Sequence, residues 1–372
     1  MKIIIRVGKW LLNIIYFIFK LKRTKDKVTI ISRQSDKETI DISLLSRQFS
    51  SMTNSPEVLI LTKTIGVGLR GKLSYLFHII FEQMPAIATS KIVLIDGYCI
   101  PISILNHKEE LIVIQMWHAM GALKKFGYSI LGNDEGSSVQ IATLMNMHKG
   151  YDYIFASGEN CVKYLSEAYN AKEDKFVIMP LPRLDLVKDE NLINVTSQKI
   201  TQTYKFSSSK KNILYSPTFR KDNINLDYVF ELIECIDYEK YNLFVVPHPL
   251  MPKNIKIQKA TIVYDFSSIE MLSVCDYVIT DYSAFVFEAA AACKPIFLYT
   301  PDIGEYSLKR GFYIDIKKEE FCKISDNPFE IKTAIEQNEY DFNKIKLFAS
   351  KYIKEQQNNT EKIINFINKK RG

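Results

Sequence analysis

The chain lacks most of the features that assign a protein quickly. It has six cysteines in 372 residues, and none forms a CxxC pair. Cys99, Cys161, Cys235, Cys275, Cys293 and Cys322 fall mostly in apolar segments. That argues against a metal cluster or a disulfide framework, and for buried thiols in a reducing compartment. No DxD-like pair of carboxylates suggests a metal: Asp276, Asp281 and Asp302 are scattered. The glycines of Thr64–Gly71 stand near a strand end but lack the spacing of a dinucleotide fingerprint. At the N-terminus, Trp10 to Phe19 is apolar apart from Asn13. This is about half of the ~20 residues that span a bilayer. No small-residue cleavage site follows it, which argues against a signal peptide. Net charge is only +7, from 49 Lys and Arg against 42 Asp and Glu. That balance is too diffuse for nucleic acid and fits an anionic substrate or an anionic membrane face.

What is present reads as globular α/β. The chain is 47% hydrophobic and 24% charged, and too long for one typical core, so two domains are expected. Residues 1–24 form a short apolar helix with basic flanks: Lys2, Arg6 and Lys9 before it, Lys20, Lys22 and Arg23 after it. Such a helix lies in a membrane interface, held by apolar burial and attraction to anionic lipid. The alternative is a helix packed on the protein's own surface. Strands at 28–32, 57–61, 91–96, 111–116, 153–157 and 176–179 alternate with helical stretches, the pattern of a doubly wound parallel sheet. Residues 129–150 read as a loop and then a helix carrying Met145, Met147 and His148. The polar stretch from Leu186 to Lys211 reads as a connecting helix and linker, with a domain boundary near 190–210. Strands resume at 212–215, 242–246 and 262–264. The expected organisation is an interfacial helix (1–24), an N-terminal domain (25–190), a linker (191–210), a C-terminal domain (211–350) and a terminal helix with a basic tail (351–372). That tail is expected to pack on the first domain.

Polar residues recur at strand carboxyl ends. The strand of residues 111–116 delivers Trp117 and His118, with Gly121 loosening the turn and Lys124 and Lys125 following. A histidine beside lysines suits a general base near an anion. Equally, it could be a hydrogen-bonded loop histidine with solvated lysines. Pro180 to Asp185 places Arg183 where it can meet an anion or pair with Asp185. Ser216-Pro217-Thr218-Phe219-Arg220 sets hydroxyls and an arginine after another strand, a phosphate-binding composition. Pro247-His248-Pro249 fixes a histidine between two prolines. The stretch from Asp276 to Tyr299 parses as strand, turn, alanine-rich buried helix and strand, with Lys294-Pro295 stopping the helix. It sets Asp281 and Ser283 at a helix N-terminus, as phosphate ligands or simply as caps.

Taken together, these segments resemble the CDP-glycerol glycerophosphotransferases of teichoic acid synthesis. The resemblance rests on Trp117-His118 with Leu123-Lys124, Pro182-Arg183-Leu184-Asp185, Tyr215 to Arg220, His248-Pro249, Thr280 to Ser283 and Lys294 to Phe297, in family order. It departs from one common family form after the histidine, where Ala119 to Ala122 replaces Gly-Thr-Pro; that bears on the acceptor more than on the chemistry. An additional N-terminal region frequent in family polymerases is absent, which favours addition of one or few units, or work on a capsule-type polymer.

The resemblance implies a GT-B fold, two Rossmann-like domains facing a central cleft, in a peripheral enzyme on the cytoplasmic face of the plasma membrane. It implies CDP-glycerol or CDP-ribitol as donor and a lipid-linked saccharide or poly(alditol phosphate) as acceptor, with no cofactor and no metal. His118 would be the base, with Trp117, Lys124 and Lys125 on the acceptor side. His248 would be the second catalytic residue, stabilising the charge of the transition state, and Arg220, Thr218, Asp281, Ser283 and Arg183 would bind the donor phosphates and nucleotide. His248 and Ser283 are expected to lie together, with His118 opposite them. Two other classes share these features: a GT-B glycosyltransferase using a sugar nucleotide, and a non-catalytic partner that has kept the fold. Every expected polar position being filled by a competent residue argues against the second.

Overall fold

The computed structural model describes residues 2–218, 226–248, 251, 258–354 and 357–372, without the side chains at 305 and 308–310. The chain divides into two compact units. Unit 1 comprises Met1–His118, Lys125–Arg183 and Asn358–Gly372; unit 2 comprises Ala119–Lys124 and Leu184–Gln357.

Unit 1 is built on six parallel strands: β1 (Lys27–Ser32), β2 (Glu57–Thr62), β3 (Ile92–Ile95), β4 (Ile112–Gln115), β5 (Tyr153–Ala156) and β6 (Phe176–Ile178). They lie in the order β2-β1-β3-β4-β5-β6. β1 and β3 are buried along their whole length, as short β-branched runs inside a sheet covered on both faces must be. The order reverses between β1 and β3. In open parallel sheets that reversal opens a crevice at the strands' carboxyl ends, where ligands bind.

Unit 2 repeats the plan with β7 (Lys211–Ser216), β8 (Tyr241–Val245), β9 (Thr261–Ile262), β10 (Tyr277–Thr280), β11 (Ile296–Tyr299) and β12 (Lys323–Ser325). Their order is β12-β11-β10-β7-β8-β9, so the reversal falls between β7 and β10. The helix after β10, Phe285–Ala291, is buried at every position, as its alanine-rich composition predicts. Just past its C-cap, Ala292, Cys293 takes a left-handed φ of 53° ahead of Lys294-Pro295.

Two stretches differ from the sequence reading, and a third sharpens it. Helix Glu190–Thr203 fills most of the stretch read as a connecting helix and linker, and it belongs to unit 2. Asp189 caps it, accepting from the Asn191 and Leu192 N–H groups at 2.9 and 3.1 Å. Its polar composition reflects a helix that buries little besides Ile200. Helix Val139–Leu144 ends before Met145, Met147 and His148, because Asn146 and His148 take left-handed backbone. Strand β12 and helices Ile303–Arg310 and Ile316–Glu319 were not foreseen. The terminal helix Asn359–Arg371 lies in unit 1, where Lys370 donates to the Tyr153 hydroxyl at 2.6 Å.

Helix α1 (Lys2–Lys20) exists as expected. Polar residues anchor its inner face beside half-buried Ile5, Leu12, Ile15 and Phe19. Tyr16 is buried and bonds His107 Nδ1 at 2.9 Å. Asn13 donates to the Ile104 carbonyl and accepts from the Asn106 N–H, and Lys9 donates to the Leu144 carbonyl. The apolar stripe of Ile3, Val7, Trp10, Ile14, Phe17 and Leu21 is exposed. No helix among the described residues is long and apolar enough to cross a membrane.

Candidate active site

In unit 1 the polar cluster begins at the carboxyl end of β4. Gln115 is fully buried; its amide donates to the Gly97 carbonyl at 3.0 Å and its oxygen accepts the Trp117 N–H at 2.9 Å. Those bonds turn the chain sharply, and Trp117 sits at φ 69°. That is an outlier for a bulky residue, costing on the order of 1–3 kcal/mol and tolerated where surroundings over-determine it. Here the indole stacks on Phe126 at 4.1 Å and lies 3.9 Å from the His118 ring.

His118 is oriented by its Nδ1, 2.8 Å from the Asp96 carbonyl oxygen. A carbonyl only accepts, so Nδ1 carries the proton and Nε2 presents a lone pair. The Gln34 side-chain amide lies 3.2 Å from the same Nδ1, which suits its oxygen, not its nitrogen, on that side. Burial pushes the His118 pKa down to about 4; the Asp96 bond opposes this, while the Arg183 and Arg33 charges add to it. His118 is therefore neutral near pH 7, with Nε2 unprotonated.

Asp96 follows β3 and is buried. The Ser32 hydroxyl donates to its Oδ2 at 2.6 Å, and its Oδ1 has no hydrogen-bond partner among the described residues. Burial raises its pKa to about 7, with the nearby Asp41 charge adding to the shift. Arg183 pairs with Asp41. Its Nε and Nη2 donate to Asp41 Oδ2 at 2.8 and 2.5 Å, and its backbone N–H donates to Oδ1 at 2.9 Å. The pair is nearly excluded from water, so both charges are held where they stand. Lys125 lies half-buried in unit 1.

Unit 2 gathers its polar residues where the strand order reverses. Thr218 follows β7 and Asp281 follows β10. The Thr218 hydroxyl and N–H donate to the Asp281 carboxylate at 2.5 and 2.9 Å, clasping the two strand ends together. Ser283 accepts the Phe285 N–H at 3.2 Å, a capping contact at the first turn of the buried helix. Tyr282 stacks on Tyr306 at 4.3 Å and donates to Asp302 at 3.0 Å. His248 follows β8. Burial lowers its pKa, the Lys124 charge lowers it further, and Asp281 opposes both. Lys124 belongs to this unit, donating to the Tyr306 hydroxyl at 2.6 Å. Lys124, set on the acceptor side by the sequence reading, is thus close enough to His248 for its charge to be felt there.

Gly121 serves close approach and does not merely loosen a turn: a Cβ there would fall 2.4 Å from the Phe287 ring. Arg220 and Pro249 lie outside the described residues.

Sequence reading missed Arg33, Gln34, Asp41, Asp96, Tyr98 and Tyr306. For Arg33, Gln34 and Asp96 the signal was available, since each closely follows a strand that had been identified. Asp41 sits inside helix Ile40–Ser50, where nothing local distinguishes it from a solvated first-turn acid.

The family model described as CDP-Glycerol:Poly(glycerophosphate) glycerophosphotransferase matches residues 15–369. A teichoic acid ribitol-phosphate primase of Bacillus spizizenii is 29% identical over 355 residues, covering 92% of this chain and 90% of its own. A teichoic acid glycerol-phosphate primase of Bacillus subtilis is 31% identical over 290 residues, covering 75% and 73%. The structure of the wall teichoic acid polymerase TagF superposes with a TM-score of 0.76 at 18% identity, over all of this chain and 97% of that one. It shares the fold, two six-stranded parallel α/β units of the GT-B kind. The chain belongs to the CDP-glycerol:poly(glycerophosphate) glycerophosphotransferase family, and it is an enzyme of CDP-alditol phosphotransfer in teichoic acid synthesis.

Proposed function

We propose that the protein transfers glycerol phosphate or ribitol phosphate from its CDP-alditol to a hydroxyl of a lipid-linked acceptor, in the priming of a teichoic acid chain. The support for priming is that the two relatives described above are primases and match over most of their length. In this reading the acceptor hydroxyl loses its proton to His118 Nε2. Its oxygen attacks the alditol-bearing β-phosphorus in line, the bond from that phosphorus to the bridging oxygen breaks, and CMP leaves with the bridging oxygen. The observation that carries the reading is the His118 tautomer: Nδ1 is committed to the Asp96 carbonyl, so Nε2 is the acceptor and is unprotonated at pH 7.

The donor is assigned to unit 2. Thr218, Asp281 and Ser283 stand at its strand reversal, the position at which open α/β sheets bind ligands. Lys124, with Arg220, supplies positive charge and His248 a hydrogen-bond donor, as a phosphoryl transition state requires. Arg183, committed to Asp41, acts as a fixed charge near His118. No cofactor or metal enters this scheme, and CDP-alditol is a substrate. The protein is proposed to work at the cytoplasmic face of the plasma membrane. The support is helix α1, whose apolar stripe faces outward between Lys2 and Arg6 at one end and Lys20, Lys22 and Arg23 at the other.

The test is CMP release by the purified chain supplied with CDP-glycerol or CDP-ribitol and a lipid-linked disaccharide, with or without a first glycerol phosphate. Release from one of the two donors, dependent on acceptor, is expected. Absence of CMP from both donors with every acceptor defeats the proposal.

A further inference from the structure

We infer that Gln115 is a positioning residue for the base: its amide ties the Asp96–Gly97 turn to the Trp117 backbone, and so fixes the carbonyl that sets the His118 tautomer. The inference rests on the reaction proposed above, in which His118 takes the acceptor proton.

Gln115 is the last residue of β4 and pairs in register with Ile95, the last residue of β3. Two segments therefore leave adjacent strand ends side by side, Asp96–Gly97 and Met116–His118. The Met116 N–H donates to the Ile95 carbonyl at 2.7 Å. Beyond that bond, no backbone hydrogen bond joins the two segments. Yet the His118 ring reaches from the second segment to the first, with Nδ1 2.8 Å from the Asp96 carbonyl oxygen.

The Gln115 side chain supplies the link that the backbone lacks. Its Nε2 donates to the Gly97 carbonyl at 3.0 Å and its Oε1 accepts the Trp117 N–H at 2.9 Å. Consecutive carbonyls of one turn are thus held, that of Asp96 by the base and that of Gly97 by Gln115. Both residues that Gln115 grips need a restraint. Gly97 has no side chain to limit its backbone, and it packs against the Gln34 amide, 3.0 Å from where its Cβ would stand. Trp117 holds a left-handed φ of 69° immediately before the histidine. Gln115 is fully buried, so water does not compete for either bond.

The consequence falls on one proton. In a neutral imidazole, the partner of one nitrogen decides which nitrogen carries the hydrogen. A turn free to shift would let the proton move to Nε2 in part of the molecules, and those could not accept from the acceptor hydroxyl. A Gln115 that merely satisfied its own buried amide would matter equally with or without the histidine.

The experiment is a double-mutant cycle on the full chain. Acceptor-dependent CMP release at pH 7 is measured for wild type, Gln115→Met, His118→Asn and the double variant, with the donor-induced thermal shift followed for each. Gln115→Met removes both bonds at similar volume. It should lower kcat roughly tenfold or more, the size of one lost buried hydrogen bond, with donor KM and the donor-induced shift unchanged. In the His118→Asn chain the same replacement should cause no further loss, because Gln115 acts through the histidine. An unchanged kcat in Gln115→Met overturns the inference, and so does an equal fold-loss in both backgrounds. Should Gln115→Met not fold, Gln115→Glu, which keeps the acceptor for the Trp117 N–H, takes its place in the cycle. Failure of both to fold makes Gln115 a structural residue and also overturns the inference. Wild-type turnover in His118→Asn sinks the underlying reaction instead, and is distinguishable because it is read without any Gln115 variant.

Discussion

Single residues carry the site's electrostatics, and their pH dependence runs in opposite directions. His118 has a folded-state pKa near 4, below its ordinary value, so unfolding takes up a proton between about pH 4 and 6.5. Its contribution to stability therefore falls as pH drops through that window. Asp96 has a folded-state pKa near 7, above the usual carboxylate range, so the folded state holds the proton longer. Its cost grows as pH rises from about 4 to 7. Asp96→Asn keeps an oxygen for the Ser32 hydroxyl and removes the buried charge. It should therefore raise the unfolding temperature at pH 8, worth on the order of 1 kcal/mol or more, and change it much less at pH 4.5. An equal effect at both pH values, followed by thermal unfolding, contradicts the buried-charge account.

Elements explain why part of this was legible and part was not. The short strands of the two parallel sheets carry β-branched or apolar runs, and most announced themselves by that pattern. β12, three residues at a sheet edge, offered too little pattern to stand out. His118, Thr218 and Asp281 were readable because they closely follow such strands. The Arg183–Asp41 pair joins residues 142 positions apart, and no local rule links them. Gly121 was noticed for the wrong reason. The glycine is needed because the 119–124 segment presses on Phe287, within 2.4 Å of where a Cβ would stand. Gly121→Ala should cost about 1–3 kcal/mol of stability in chemical denaturation, and Phe287→Leu in the same chain should return part of it. A Gly121→Ala chain as stable as wild type is incompatible with that packing.

Helix α1 shows a different limit. Its composition gave the helix and its basic flanks, but could not say which face turns outward. That depends on Asn13 and Tyr16 finding partners at Ile104, Asn106 and His107. Replacing Trp10 and Phe17 by Glu should abolish cosedimentation with phosphatidylglycerol vesicles while leaving the folded chain intact. Wild-type binding should weaken as salt rises, since the flanking lysines and arginines are screened. Binding that survives both changes removes α1 from the membrane contact.

At the scale of the whole molecule, the two units repeat one plan: a parallel sheet, one reversal of strand order, and polar residues gathered at the carboxyl ends around it. Each unit supplies a different half of the proposed chemistry, an oriented neutral base in one and a hydroxyl–carboxylate clasp with nearby cations in the other. The central claim is that His118 removes the acceptor proton. It is tested most directly by acceptor-dependent CMP release from His118→Asn and wild type at pH 7, with donor binding followed in parallel by thermal shift. The account predicts a fall in turnover of roughly 10²- to 10⁴-fold with the donor-induced shift retained. Turnover within a few-fold of wild type contradicts it.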